Sequence, residues 1–235
     1  MLQLLLLSNS TNYGQPYFQW ALPHVQDFLK PELREIIFIP YAAVAFDFNE
    51  YESKVNNAWS NIGIKVTGIH HFSDEKAAIE QADAIVVGGG NTWQLLSMIY
   101  EKKLLELMRE KVLNGTPYIG WSAGSNLACP TIKTTNDMPV VQPPAFQALS
   151  LVPFQINPHY TEATIPGHGG ETRPERIKEF ISINTNPVIG LPEGCLLKIR
   201  NQQIELIGDH EAKIFHQGEP IKTIFASDDL KFLLR

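Results

Sequence analysis

Five consecutive residues, Gly120-Trp121-Ser122-Ala123-Gly124, have the order of small residues around a serine that makes a nucleophile elbow. They follow the apolar run Pro117-Tyr118-Ile119 and precede a helix expected over residues 125–129. A serine at such a strand-to-helix turn stands clear of the backbone. The first amides of the helix, at its positive dipole end, are suited to a developing oxyanion. The chemistry indicated is acyl transfer from Ser122. The plainer alternative is a tight turn whose serine caps the helix.

A serine hydroxyl attacks only when a base takes its proton, and imidazole titrates in the right range. Of seven histidines, His24 falls in a helical pattern, His70 and His71 end a strand, and His210 and His216 belong to a hairpin region. His159 follows Asn157-Pro158 at the end of an apolar strand and is the first candidate; His168 is the second. The base in turn needs a carboxylate to hold its tautomer. Asp137, in the polar turn Thr135-Asn136-Asp137-Met138-Pro139, gives the order Ser…Asp…His. Glu193, in Gly190-Leu191-Pro192-Glu193-Gly194, gives Ser…His…Glu. The residues alone leave both open.

Two further features bear on a ligand. Gly88-Gly89-Gly90-Asn91 follows the apolar run 84–87 but has Trp93 where a dinucleotide fingerprint needs glycine. Its free amides could complete an oxyanion hole with the amide of Ala123. Thr172-Arg173-Pro174-Glu175 spells a capping box, placing Arg173 in the first turn of a helix. A cation there is either solvated or joins the helix amides in holding an anion, so Arg173 is a candidate receptor for a substrate carboxylate.

The elements that must position these groups alternate. Apolar runs at 2–7, 36–39, 64–69 and 84–87 predict strands covered on both faces. Between and after them, 18–29, 50–62 and 104–113 carry helical periodicity. This βαβα order predicts an α/β fold, a mostly parallel sheet with helices on both faces and the site beyond the strands' carboxyl ends. Residues 130–170 hold seven prolines and a single further strand, at 154–157. From 187 onward short strands at 196–200, 203–207, 213–215 and 221–225 predict C-terminal β-hairpins at one edge. No repeat or linker divides the chain, so 1–235 is expected to form a single domain.

Composition narrows the function. With 44% hydrophobic and 19% charged residues the chain is an ordinary globular sequence, and its net charge of -6 argues against nucleic acid or anionic membranes as partners. Cys129 and Cys195 are far apart and lack metal-ligand spacing; two lone cysteines suit a reducing compartment. The leucine-rich start has neither the basic lead nor the cleavage site of a signal peptide and is expected to be a buried strand. The cytoplasm is the expected location.

The stretch YIGWSAGSNLACPTIKTTNDMP (118–139) resembles the signature of the α-aspartyl dipeptidase, or peptidase E, family of serine peptidases. The strings LLLLSNST, VVGGGNTWQLL, QINPHY, GHGGETRPERI and GLPEGC are similar to the same family in the same order, from Leu4 to about Cys195. The resemblance implies a fold similar to class I glutamine amidotransferases and hydrolysis of dipeptides with an N-terminal aspartate, without metal or cofactor. It implies Ser122 as nucleophile and His159 as base. Glu193 is preferred as the orienting acid, with Asp137 retained beside it. Gly90 and Ala123 correspond to the oxyanion hole and Arg173 to the grip on the aspartyl carboxylate. Ser125 departs from the pattern, where alanine is commoner. The rivals are a general esterase using Asp137 with an apolar acyl pocket, and a non-catalytic module that binds an anion.

Overall fold

A computed structural model describes residues 1–29, 32–164, 166–167 and 169–234. Four apolar runs form parallel strands: β1 (Gln3–Leu7), β2 (Ile36–Ile39), β4 (Ala84–Val87) and β5 (Tyr118–Trp121), with β3 (Thr67–Gly68) short at one edge. Two antiparallel strands, β8 (Leu196–Arg200) and β9 (Gln203–Ile207), extend the other edge, giving the order β3-β2-β4-β5-β1-β8-β9. The crossover helices are α1 (Leu22–Phe28), α2 (Phe48–Trp59), α3 (Glu75–Gln81), α4 (Thr92–Glu101) and α5 (Leu105–Leu113). The short α6 (Ala123–Ala128) follows β5.

Continuous apolar strands are explained by two cores. Leu4 and Leu6 of β1 pack with α3, α4, α5 and α6 on one face, while Leu5 and Leu7 pack with α1 and α2 on the other. Successive side chains of a strand point to opposite faces, so a sheet covered twice needs every position apolar. β5 lies between β4 and β1, so three parallel strands deliver their carboxyl ends side by side.

A second sheet, ordered β11-β10-β7-β6, was not foreseen. It pairs β6 (Gln155–Pro158) in parallel with β7 (Val188–Leu191), through the crossover helix α7 (Arg173–Ile183). β10 (Ala212–Phe215) and β11 (Lys222–Ile224) complete it in antiparallel fashion. The expected C-terminal hairpins form, but they divide between the sheets instead of sharing one edge: β8–β9 edge the main sheet and β10–β11 the second.

Several boundaries also differ, three of them for a clear local reason. The strand expected at 64–69 shrinks to β3, because the Asn56 amide pairs with both the N–H and the C=O of Val66 (2.8 and 3.0 Å) and removes it from the ladder. A 3₁₀ turn over Ile69–His71 follows. The helix expected from Phe18 begins only at Leu22, since Phe18 itself has φ 63°. The second helix starts earlier than expected, where Asp47 accepts from the Asn49 amide (2.7 Å). Among the described residues no helix is long and apolar enough to cross a membrane.

Candidate active site

Ser122 occupies the step from β5 to α6 with φ 52° and ψ -109°, a conformation that costs about 1–3 kcal/mol and persists only where packing enforces it. Packing does enforce it. The Ser122 amide donates to the Leu7 carbonyl (3.0 Å), and Gly124 lies so close to β4 that a Cβ there would strike the Val87 carbonyl. Tyr118 Oη donates to the Gly124 carbonyl (2.7 Å), fixing the far side of the turn. The Ser122 side chain makes no cap to α6, which removes the capping alternative.

The second sheet brings the candidate base. In the β6–β7 pair Pro158 sits opposite Leu191, so the residues just beyond, His159 and then Glu193, emerge side by side at two parallel carboxyl ends. His159 Nε2 lies 2.9 Å from Ser122 Oγ, and its Nδ1 lies 2.6 Å from Glu193 Oε1. A proton held on Nδ1 by the carboxylate leaves Nε2 as the acceptor for the serine hydroxyl. His159 is itself in a left-handed conformation, φ 53°.

Asp137 is engaged elsewhere. Its Oδ2 accepts from the Thr92 amide (2.8 Å) and the Thr92 hydroxyl (2.5 Å), with Thr135 Oγ1 at 3.0 Å. Trp93 Nε1 donates to its carbonyl (3.1 Å). These contacts staple the 135–138 turn to the start of α4, where a carboxylate also complements the helix dipole. Asp137 still lines the cavity that contains Ser122 and His159, about 370 Å³ in volume.

Gly90 lines the same cavity with φ 135°; a Cβ there would strike the Ala42 carbonyl, so only glycine fits. Ala123 opens α6 directly after Ser122, and the first amides of a helix have no partner within it. Arg173 opens α7 behind the expected capping box, which is formed. It lines not the Ser122 cavity but an adjoining one of about 230 Å³, with Lys133 and Arg176, and Asp137 is the wall common to both. Burial, followed by Arg176, pushes the Arg173 pKa down, while Asp137 pulls it up. Its Nη1 donates to Asn136 Oδ1. The cation that lines the Ser122 cavity is Lys54, with Nζ 4.3 Å from the Tyr17 ring centre. His168 lies outside the described residues.

Sequence reasoning passed over Ser8 and Asn9, at the carboxyl end of β1. Ser8 Oγ accepts from the His159 amide and donates to the Leu191 carbonyl, both at 2.8 Å, so one hydroxyl joins the two sheets beside the imidazole. Asn9 Oδ1 accepts from the Gly194 amide (2.9 Å) and holds the turn that carries Glu193. The available signal was two polar residues ending a buried strand whose carboxyl end faces the site. Ser125 Oγ lies 2.7 Å from the Leu7 carbonyl and 2.9 Å from that of Gly120, so the residue that departs from the family pattern braces the base of the elbow.

The profile of Peptidase family S51 matches residues 4–207. The chain belongs to peptidase family S51. Family S51 relatives include Peptidase E of Nostoc sp., 50% identical over 99% of this chain and 96% of that protein. Peptidase E of Shewanella amazonensis is 44% identical over 99% of each. Peptidase E of Salmonella heidelberg is 49% identical over 93% of this chain and 95% of its own length. The protein is thus a peptidase, not a non-catalytic binding module. A 1.5 Å crystal structure of a Peptidase E protein from Listeria monocytogenes matches with a TM-score of 0.68 at 23% identity, over 89% of this chain and all of that one. A peptidase from an acI-B1 actinobacterium matches at 0.63 and 15%, over 98% and 96%. Both share its fold.

Proposed function

We propose that this S51 peptidase is a serine dipeptidase that hydrolyses Asp-Xaa through an acyl-enzyme on Ser122. The observation that carries the reading is the continuous relay Ser122–His159–Glu193, with separations of 2.9 and 2.6 Å. Ser122 Oγ attacks the carbonyl carbon of the N-terminal residue while His159 Nε2 takes its proton. The amides of Gly90 and Ala123 receive the oxyanion. His159 then gives the proton to the departing amine as the C–N bond breaks. Water, deprotonated by the same imidazole, attacks the ester and restores Ser122. Glu193 holds Nδ1–H and stabilises the imidazolium throughout.

Selectivity for aspartate is supported by the cavity beside the nucleophile. Lys133, Arg173 and Arg176 face it against the single carboxylate of Asp137, a positive balance that suits an anionic side chain. A half-buried guanidinium left without its anion penalises a neutral substrate. Lys54, in the lining of the Ser122 cavity, suits the free carboxylate at the other end of a dipeptide.

The test is hydrolysis of Asp-Leu, Asn-Leu, Glu-Leu and Ala-Leu by the wild type and Ser122→Ala. Asp-Leu should lead by about 10²-fold or more in kcat/KM, the scale expected when a buried polar group goes unpaired. Equal turnover of Ala-Leu would remove the specificity, and full activity in Ser122→Ala would remove the mechanism.

A further inference from the structure

At the far edge of the main sheet, three strands from β5, Glu52 on α2 faces the 3₁₀ turn that follows β3. His71 Nε2 lies 2.5 Å from Glu52 Oε2, and His70 Nε2 lies 3.8 Å from the same oxygen. His70 Nε2 is also 3.1 Å from Asn49 Oδ1, one turn earlier on α2. The two imidazole nitrogens and the carboxylate oxygen lie within 4.8 Å of one another. Ligands about 2.0–2.1 Å from a tetrahedral zinc stand roughly 3.3 Å apart, so shifts of an ångström or less would seat an ion among these atoms.

The surroundings keep the three groups converged. Gly68 lies so close that a Cβ there would strike the His70 ring and come within 3.0 Å of Glu52 Oε2. The His70 and His71 rings lie 4.1 Å apart, with both Nε2 atoms within 3.8 Å of one carboxylate oxygen. The side chains of His70 and Glu52 are only 15% and 13% exposed, while His71, at 47%, leaves an approach from solvent. Two neutral imidazoles and one carboxylate form a donor set for a borderline divalent ion, with water or Asn49 Oδ1 available as a fourth ligand.

We propose that Glu52, His70 and His71 bind a divalent cation of the zinc class, and that the ion fastens α2 to the turn behind β3. The site takes no part in the serine chemistry. Its reach toward the active site is mechanical. The neighbouring Tyr51 accepts from Trp121 Nε1 (3.1 Å) and donates to the Gly89 carbonyl (2.8 Å) beside Ser122. Affinity is modest, because His70 Nδ1 is buried without a hydrogen-bond partner, whereas tight sites give that nitrogen an acceptor.

The test titrates chelator-treated protein with zinc chloride by calorimetry and with cobalt chloride by visible absorption. One equivalent should bind with a low-micromolar Kd, and cobalt should show the d–d bands of a low-coordinate site. Zinc at a hundredfold excess over Kd should raise Tm by about 5 °C. His71→Ala and Glu52→Gln should each weaken binding by about tenfold or more. His216→Ala, which removes a surface imidazole paired with Glu219, should leave binding unchanged. Circular dichroism and Asp-Leu turnover report that the variants are folded. No binding at millimolar zinc, or wild-type affinity in either ligand variant, overturns the proposal and leaves the cluster as a hydrogen-bonded ion pair.

Discussion

Ser122 stands on the main sheet, enclosed by β1, β4 and α6, whereas His159 and Glu193 stand at the rim of the second sheet with side chains 37% and 50% exposed. The candidate nucleophile is held by close backbone packing of its own turn against β1 and β4, through the Leu7 carbonyl and Val87. The candidate base and the turn carrying its carboxylate are held by hydrogen bonds from Ser8 and Asn9, just beyond β1, formed between residues more than 150 positions apart in the chain. The difference separates two ways of fixing a reactive group. Backbone strain enforced by a core is costly to build and hard to disturb. Polar bridges at an edge are cheap and easily loosened.

The largest effect tests the point where the regions meet. Ser122→Ala and His159→Ala should each lower kcat for Asp-Leu by about 10⁴-fold or more, and the double variant should be no worse than the worse single one. Full additivity in steady-state kinetics would show that the two residues do not act as a unit. Next comes the carboxylate. Glu193→Gln should reduce kcat by about 10²–10⁴-fold with Tm unchanged, because the side chain is half exposed and its partner is the imidazole. Asp137→Asn should instead lower stability by about 1–2 kcal/mol in denaturant unfolding, since it weakens the staple to Thr92. The reverse pattern would assign the orienting role to Asp137.

Ser8→Ala attacks the bridge between the sheets. The His159 amide would lose its acceptor, costing about 1–2 kcal/mol, and the displaced imidazole should lower kcat about tenfold. Wild-type kinetics in this variant would show that the second sheet holds His159 without help from β1. The smallest effect concerns the enclosed half. Burial pushes the Cys129 thiol up to about 12, so at pH 8 only roughly one in ten thousand is thiolate. Iodoacetamide should leave native Cys129 unmodified and activity intact by mass spectrometry and assay.

The same contrast explains what the sequence made legible. The elbow is local: Gly120, Ser122 and Gly124 fall within five residues, between an apolar strand and a helix. The parallel strands were equally plain, because burial on both faces demands unbroken apolar runs such as 84–87. The second sheet was hidden because β6, β7 and β10 are separated by long segments, and no period links strands that meet only after folding. The choice between Asp137 and Glu193 was hidden for the same reason. Each is a polar residue in a turn, and only the β6–β7 register decides which stands beside His159. Val66 shows a subtler concealment, where a side-chain amide one helix away replaces a strand neighbour.

Ser122 and His159 both lie in left-handed backbone space, at φ 52° and 53°. Glycine is the residue that would relieve both positions. A lineage selected for durability alone would drift toward it there and become a firmer, inert fold. The two side chains that would be lost in that drift are those of the proposed relay, so two of the chain's positive-φ joints coincide with the groups proposed to do its chemistry.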